Sequence, residues 1–198
     1  MFSHERADGA GPSGPAPFSL RLHPLEAAAD DALRAHAHDV VGASATDVQV
    51  GRLCPACGSS RHGRPWARVA PAADGGAADG VPAGRARPPL VGVSLSRSGP
   101  HLLTAVRLGG GIGVDIEEIA AVDRGWDGSL VLHPDEADPR AADPRTAERR
   151  ARLWAGKEAV LKLAGSGLRT PMTQVRLADH DVRGAAAPAG FVIAVALG

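Results

Sequence analysis

Aromatic residues and lysine are scarce in this chain. Aromatics make up 3% of its 198 residues and tyrosine is absent, so a folded core must be built from Ala, Val and Leu. Of the 22 cationic side chains only Lys157 and Lys162 are lysine, and all the others are arginine. Lysine is a compact point charge whose pKa shifts readily on burial. Its restriction to one short segment therefore marks that segment as a candidate site.

Further absences argue against several classes of protein. The formal net charge is zero, which argues against nucleic-acid binding through a basic surface. No apolar run approaches the roughly 18 residues that span a bilayer, and the N-terminal residues do not resemble a secretory signal. We expect a cytoplasmic protein of one domain or two small ones, with no nucleic-acid or membrane partner.

The two cysteines are Cys54 and Cys57, in the sequence Cys-Pro-Ala-Cys-Gly. Two are too few for a disulfide framework. His62 offers a third zinc ligand, but no second Cys-x-x-Cys pair supplies a fourth. We favour a plain turn with buried thiols over a zinc site or a redox pair.

Two low-complexity segments interrupt the chain. Residues 1–16 are predicted to form a disordered tail, and Pro71 to Pro89 a mobile loop. Hydrophobic periodicity predicts a helix from Leu25 to Val41. It also predicts six strands or strand-like runs, with the sharpest at residues 111–117: Thr46 to Leu53, Leu90 to Ser96, Leu102 to Leu108, Gly111 to Glu117, Gln174 to Leu177 and Phe191 to Leu197.

The run from Gly111 to Glu117 alternates apolar residues with Gly113, Asp115 and Glu117. Because side chains on a strand alternate between its two faces, the apolar set should face a core. Both carboxylates should then emerge together on the opposite face.

A long helix is predicted from Asp143-Pro144 to about Ala164, ending at Gly165. Lys157 falls on its apolar stripe, with Glu158 beside it. Buried charges are costly unless they are paired or bound to a ligand. An ordinary helix-stabilising pair between Glu158 and Lys162 would explain Lys162 but not Lys157.

Asp115, Glu117 and Glu158 would form a three-carboxylate cluster if the helix packs beside the strand. Such a cluster is stable mainly around a cation, and all-oxygen ligands favour magnesium or manganese. Lysines beside it would neutralise phosphate oxygens, as in phosphoryl transfer. Two loops could also hold phosphate, residues 59–66 and 94–99, although a solvated loop is the alternative for each.

In this order the segments resemble the 4′-phosphopantetheinyl transferase superfamily, in its monomeric, broad-specificity, surfactin-synthetase-activating type. The resemblance covers about residues 50 to 175. It rests on Arg61-His62-Gly63-Arg64-Pro65, Leu95-Ser96-Arg97-Ser98-Gly99, Gly113-Val114-Asp115-Ile116-Glu117, His133-Pro134-Asp135-Glu136, and Trp154-Ala155-Gly156-Lys157-Glu158-Ala159-Val160-Leu161-Lys162 with Gly165-Ser166-Gly167-Leu168.

The resemblance implies an α+β fold: a pseudo-dimer of two similar halves, residues 17–110 and 111–198. Each half would be a small, mostly antiparallel sheet with packed helices, and the active site would lie in the cleft between them. It implies coenzyme A as donor and a serine of an apo acyl or peptidyl carrier protein as acceptor, in polyketide and nonribosomal peptide biosynthesis. The enzyme would be a monomer and would release 3′,5′-ADP.

The resemblance also implies the site residues. Asp115, Glu117 and Glu158 would hold Mg²⁺ (or Mn²⁺), and Glu158, directly or through a water, would take the proton from the carrier serine. Lys157 and Lys162 would contact the pyrophosphate of coenzyme A. The remaining coenzyme A contacts would come from Arg61, His62, Arg64, Ser96 and Arg97. Arginine stands at 97 where the family usually has histidine, so this position can hold a phosphate but cannot titrate near neutral pH.

Two other functions remain open on the sequence. Another magnesium-dependent phosphoryl enzyme would be expected to carry a nucleophile or water-positioning residue near Asp115, and none is evident. A non-catalytic module that binds coenzyme A or a carrier protein would not need every proposed metal ligand and both lysines, all of which are present.

Overall fold

The computed structural model describes residues 18–42, 48–69, 90–138, 143 and 145–198. The predicted N-terminal tail and the predicted loop from Pro71 to Pro89 lie outside these residues. The elements before residue 110 are β1 (Phe18–Pro24), α1 (Ala29–Val41), β2 (Val48–Leu53), β3 (Arg64–Val69), β4 (Val91–Ser98) and β5 (His101–Leu108).

The second half contains a long helix and another small sheet. Its elements are β6 (Ile112–Glu118), α2 (Ile119–Arg124), α3 (Gly128–Val131), α4 (Thr146–Ala164), β7 (Asp181–Ala185) and β8 (Phe191–Leu197). Three short 3-10 turns connect α4 to β7: Gly167–Arg169, Met172–Gln174 and Leu177–Asp179.

The two three-stranded sheets share one topology. Their orders are β1-β5-β4 and β6-β8-β7, and every pairing is antiparallel. In each sheet the last strand of the half lies in the centre, between the first strand and the strand that precedes it in a hairpin. A separate hairpin of β2 and β3 lies beside the first sheet. The fold is therefore mixed α+β, as predicted, with small antiparallel sheets and packed helices.

Three apolar clusters hold these layers together. One lies between α1 and the first sheet, around Leu33 and Val106. Another lies between α4 and the second sheet, where Ala155 and Ala159 contribute. The third joins the two sheets and includes Leu103 and Val114. The second sheet is thus covered on both faces, which explains why β8 is apolar at every position.

The two sheets meet at the edges formed by β4 and β6. The join uses serine side chains: the Ser94 hydroxyl accepts from the Val114 N–H at 3.0 Å, and the Ser98 hydroxyl accepts from the Glu118 N–H at 3.1 Å. Ser94 and Ser98 are four residues apart on β4, so both point the same way. Hydroxyl groups therefore satisfy backbone donors of β6 that a neighbouring strand would otherwise satisfy.

Most of the predicted elements form, with shifted ends. The helix predicted from Leu25 begins at Ala29, because Pro24 is still paired with β5 as the end of β1. The long helix begins at Thr146, where Asp143 accepts from the Arg145 N–H at 2.8 Å just before the first turn. Gly165 ends it in the left-handed conformation, as predicted, with φ +72°.

The strand predicted from Gln174 to Leu177 is wrong. This segment forms 3-10 turns at Met172–Gln174 and Leu177–Asp179, and the strand comes later, as β7. The Val175 carbonyl in this segment and the Met172 carbonyl just before it accept hydrogen bonds from the buried Lys157 ammonium, which holds the segment against α4. The sequence patterns also missed β1, β3, α2 and α3.

Candidate active site

The candidate site lies where β6 packs directly on α4. Gly113 makes this contact possible, because a Cβ there would lie 2.6 Å from the Leu163 nitrogen and even closer to the Ala159 carbonyl oxygen. On α4, Ala151, Ala155 and Ala159 recur every four residues and are completely buried. Small side chains on the helix and glycine on the strand bring the two backbones together. Asp115 and Glu117, on the same face of β6 as Gly113, are thereby placed beside Glu158 and Lys162.

Asp115 is the most enclosed carboxylate of the site, with 2% of its surface exposed. Its Oδ1 accepts from the Ser96 hydroxyl at 2.6 Å and from the Lys162 ammonium at 2.6 Å. Its Oδ2 is buried and has no hydrogen-bond partner. A buried carboxylate oxygen without a donor is costly, and a cation could supply the missing contact.

Glu117 and Glu158 are half-buried and share an open cleft of about 340 Å³ with Asp115. Burial, followed by the nearby charge of Asp115, raises the pKa of Glu117 to about 7. The pKa of Glu158 is raised by the same two causes in the same order, against the opposing effect of Lys162. The carboxylates therefore repel one another, and a positive charge in the cleft would relieve that repulsion.

Lys162 is the cation that faces these carboxylates. Its ammonium lies 2.6 Å from Asp115 Oδ1 and 2.9 Å from the Ser96 hydroxyl. It thus reaches across to β4 and β6, so the ordinary pairing with Glu158 along the helix does not describe its position. About a quarter of the side chain stays exposed to the cleft.

Lys157 lies elsewhere. It is completely buried, and its ammonium contacts Glu136 Oε2 at 2.6 Å and the carbonyl oxygens of Val175 and Met172 at 2.6 and 3.1 Å. The contact of Lys157 with pyrophosphate stays a prediction, and in this geometry its three donors are all used inside the protein. The expectation that it faces the core is met.

Glu136 is the partner that the sequence patterns did not assign. Burial favours a higher pKa for this carboxyl, but the Lys157 ammonium and the backbone N–H groups of His133 and Leu177 hold the pKa below its usual value. The N–H contacts measure 2.9 and 3.1 Å. Only the family resemblance, which includes the segment His133-Pro134-Asp135-Glu136, singled out the part of the sequence that contains Glu136.

The arginines predicted to contact phosphate lie in different places. Arg97 is exposed and lines the same cleft as the carboxylates. Arg64, at the start of β3, lies at the end of α4, where a Cβ on Gly165 would be 3.1 Å from Arg64 Cδ. Arg61 is exposed on the connection between β2 and β3, away from the cleft lining.

Ser96 and His62 are placed differently from the expectation of a direct phosphate contact. The Ser96 hydroxyl is buried and engaged by Asp115 and Lys162, so it positions them. His62 Nε2 lies 3.4 Å from Cys57 Sγ, on the connection between β2 and β3. The thiols there are not buried as expected: Cys54 is half-exposed and Cys57 is exposed.

A second, smaller depression of about 220 Å³ adjoins the cleft and shares Glu117 with it. Its other lining residues are mostly apolar and come from α2, the turn that follows it, and α4: Ala121, Val122, Gly125 and Trp154. The sequence patterns did not indicate this surface, because they missed α2.

The carboxylate group fits a hard divalent cation by its chemistry. It offers three carboxylates, one buried oxygen without a partner, and two carboxyl groups whose pKa is raised first by burial and then by the charge of Asp115. The three carboxylates are not drawn together around one point, however. Within the described residues, the group of three ligand-type side chains whose atoms all lie within 4.8 Å of one another is Cys54, Cys57 and His62.

Comparison with known families matches residues 111–190 to the 4′-phosphopantetheinyl transferase superfamily. The matched segment runs from the start of β6 to the turn before β8, and it contains Asp115, Glu117, Glu158 and Lys162. It covers less than half of the chain. A search of curated proteins found no match. Among the helices in the described ranges, none is both long and apolar enough to cross a membrane.

Proposed function

We propose that this protein transfers the 4′-phosphopantetheine arm of coenzyme A to a serine of an apo acyl or peptidyl carrier protein, releasing 3′,5′-ADP. The observation that carries the proposal is the grouping of Asp115, Glu117, Glu158 and Lys162 in one cleft, within the segment that matches the superfamily. Phosphoryl transfer depends on positioned charges more than on covalent chemistry by the protein. This cleft offers anionic oxygens for a metal and a lysine for phosphate.

Asp115, Glu117 and Glu158 would hold Mg²⁺, or Mn²⁺ in its place. The metal would supply positive charge against the pyrophosphate of coenzyme A. Asp115 is best placed to fix its position, because Ser96 and Lys162 already hold one of its oxygens. The other oxygen, Oδ2, is left for the metal.

Lys162 would contact the pyrophosphate, since part of its side chain is exposed and it lines the cleft. Arg97 would bind a phosphate from the rim of the cleft, with Arg64 and Arg61 serving the nucleotide end. Lys157 would act through the fold instead: by tying α4 to Val175 and Glu136 it would fix the helix turn that carries Glu158.

Glu158 would take the proton from the carrier serine hydroxyl. The serine oxygen then forms a bond to the phosphorus that bears the pantetheine arm, and the bond from that phosphorus to the oxygen bridging to 3′,5′-ADP breaks. The raised pKa of Glu158 suits this step, because a base whose pKa lies nearer neutrality accepts a proton more readily.

We also propose that the chain is a monomeric pseudo-dimer of residues 17–110 and 111–198, with the active site at their junction. The shared strand order of the two sheets supports this reading, as does the position of the carboxylates beside the junction of β4 and β6. The N-terminal half would supply Ser96 and Arg97, and the C-terminal half the metal ligands.

The test uses intact mass spectrometry of an apo carrier protein incubated with the full chain, coenzyme A and Mg²⁺. The carrier should gain the mass of one phosphopantetheine, and Glu158→Gln should lower the rate by at least about a hundredfold, the usual contribution of a positioned base. Glu148→Gln on the same helix is the matched control, because its partner is the exposed Arg152; it should leave the rate unchanged.

No mass gain on any of several acyl and peptidyl carriers would refute the transferase proposal. Binding of coenzyme A without transfer would indicate the non-catalytic module instead. Full turnover by Glu158→Gln would show that Glu158 is not the base.

A further inference from the structure

We propose that the connection between β2 and β3 is a metal site for a thiolate-binding divalent cation, Zn²⁺ above all, with Cys54, Cys57 and His62 as its ligands. These residues lie on the connection between the end of β2 at Leu53 and the start of β3 at Arg64. One sulfur or nitrogen atom from each lies within 4.8 Å of the other two. The site is separate from the carboxylate cleft, and it is independent of the transferase proposal.

The distances fit a single tetrahedral ion. With zinc–sulfur bonds of about 2.3 Å and zinc–nitrogen bonds of about 2.0 Å, a sulfur and a nitrogen on the same zinc lie about 3.5 Å apart. Cys57 Sγ and His62 Nε2 are separated by 3.4 Å. The imidazole therefore approaches the thiol at the spacing that a shared ion requires.

The backbone around Cys54 is shaped to present its sulfur. That sulfur accepts hydrogen bonds from the N–H groups of Ala56 and Cys57, which favour a thiolate. The Gly58 N–H donates to the Cys54 carbonyl at 2.8 Å, with Gly58 in the left-handed region at φ +69°. The loop is thus a closed turn that directs both sulfurs to one side.

Gly63 returns the chain so that His62 comes back to this turn. Its φ is +106°, and a Cβ at this position would lie 2.5 Å from the backbone nitrogen of Cys54. Any other residue would push His62 away from the cysteines. Glycine at 63 thus lets the two ends of the connection approach closely, with His62 next to Gly63 in the sequence.

Charge and ligand type select the cation. Two thiolates neutralise one divalent ion, so the group can remain at the surface without a large desolvation cost, and His62 coordinates as a neutral imidazole. Soft sulfur ligands favour zinc and disfavour magnesium. Within the described residues the cluster has three members, and because Cys57 and His62 are exposed, water can take the fourth position.

A redox pair is the main competitor for a Cys-x-x-Cys sequence. A helix N-terminus is one common source of the reactivity of such pairs, and Cys54 and Cys57 lack it because they lie in a turn between two strands. A disulfide between the two cysteines would also leave the close approach of the His62 imidazole to Cys57 unexplained. A thiolate–imidazolium pair without metal is the remaining alternative, and metal uptake distinguishes it.

The site would fix the hairpin that carries two of the arginines. Arg61 directly precedes His62, and Arg64 follows it by two residues, against Gly165 at the end of α4. With His62 bound to metal through Nε2, the imidazole is not available there to a phosphate, so the arginines remain as the cationic groups of this loop.

The experiment titrates cobalt(II), a spectroscopic substitute for zinc, into the reduced, metal-free full chain. A near-ultraviolet thiolate-to-cobalt charge-transfer band should appear, saturate at about one ion per chain, and disappear when zinc is added. Cys54→Ser and Cys57→Ser should each abolish the band. His62→Ala should weaken zinc binding at least about tenfold, the loss expected even for residues that only support a ligand.

Two controls keep the result specific. Ser60→Ala, in the same turn, should bind cobalt normally, and so should Glu158→Gln, whose defect concerns the other site. If a cysteine variant fails to fold by circular dichroism, alkylation of the unaltered chain replaces it: zinc should protect both thiols from the reagent.

The proposal is overturned if no thiolate band forms, if the band survives Cys57→Ser, or if zinc leaves both thiols equally reactive. It would also fail if Cys54 and Cys57 form a disulfide in air as fast with zinc present as without it. None of these outcomes depends on whether the chain transfers phosphopantetheine.

Discussion

The two lysines of this chain, five residues apart on α4, are used in different ways. Lys162 lines a cleft and forms an ion pair with Asp115. Lys157 is buried and donates to two carbonyl oxygens and to Glu136. A lysine ammonium has three donors that can point in separate directions, which matches three separate acceptors around Lys157. The planar guanidinium of arginine would not fit that arrangement.

Replacing Lys157 with methionine should lower the free energy of unfolding by about 3–5 kcal/mol, because it removes the buried ammonium from Glu136 and from the two carbonyl oxygens that it contacts. Urea denaturation would measure the change. Arg149→Met is the control, since its pair with Asp143 is exposed and worth about 1 kcal/mol or less. Equal losses in the two variants would contradict a structural function for Lys157.

Glu117 should make the metal-free protein sensitive to pH. Burial and the charge of Asp115 raise its pKa to about 7 from a usual 4.5, so the folded state favours the protonated form. The stability that Glu117 contributes is complete below pH 4.5 and is lost as pH rises through 7. The melting temperature of the unaltered chain should therefore fall across this window relative to Glu117→Gln.

Added Mg²⁺ should reverse part of that fall if Glu117 is a ligand, because a nearby cation stabilises the carboxylate. Thermal melts at several pH values, with and without Mg²⁺, would provide the measurement. Parallel curves for the unaltered chain and Glu117→Gln would mean that the carboxyl ionises normally.

At the scale of elements, the alternation along β6 predicted both of its faces. The alternation could not predict what covers each face of β6. The other sheet packs on the apolar face, and α4 packs on the face that carries Asp115. A period of two separates two sets of side chains, but it does not say what packs on either set. Gly113 was the available signal, since glycine inside a strand often marks a close backbone approach.

Other elements could not be predicted because they depend on contacts between residues far apart in the sequence. The segment from Gln174 to Leu177 has a strand-like composition, yet its Val175 carbonyl accepts a hydrogen bond from Lys157 on α4. The β1 strand ends in Pro24, which its edge position permits but which the sequence suggests as a boundary. The carboxylates could be grouped from the sequence, whereas the separation of Lys157 from them could not, because helix position alone does not reveal a partner such as Glu136.

Gly113→Ala should damage the junction of β6 and α4. The added methyl group would meet backbone atoms of Ala159 and Leu163, which cannot rotate away as a side chain could. We expect a loss of at least about 1–3 kcal/mol in the free energy of unfolding, the usual cost of overpacking. Gly125→Ala is the control, because the nearest atom there is 3.7 Å away. Equal stability of the two variants in urea would show that α4 can move aside.

At the scale of the whole molecule, two small sheets of the same strand order enclose one apolar cluster and meet along β4 and β6. A three-stranded sheet cannot cover its own faces, so each sheet needs other layers packed against it. These layers are α1, α4 and the opposite sheet. The candidate site lies at the junction, so its geometry depends on both halves being folded.

The junction of β4 and β6 also affects how the protein meets copies of itself. Open strand edges invite another chain to add a strand, and this is a common route to aggregation. Here the edge of β6 lies against β4, whose serine hydroxyls bond its N–H groups. Two further edge strands are β1, which ends in proline, and β7, a strand of five residues that carries Asp181 and Arg183. Proline, shortness and charge each discourage strand addition, so the arrangement that assembles the cleft also keeps the sheets from growing between molecules.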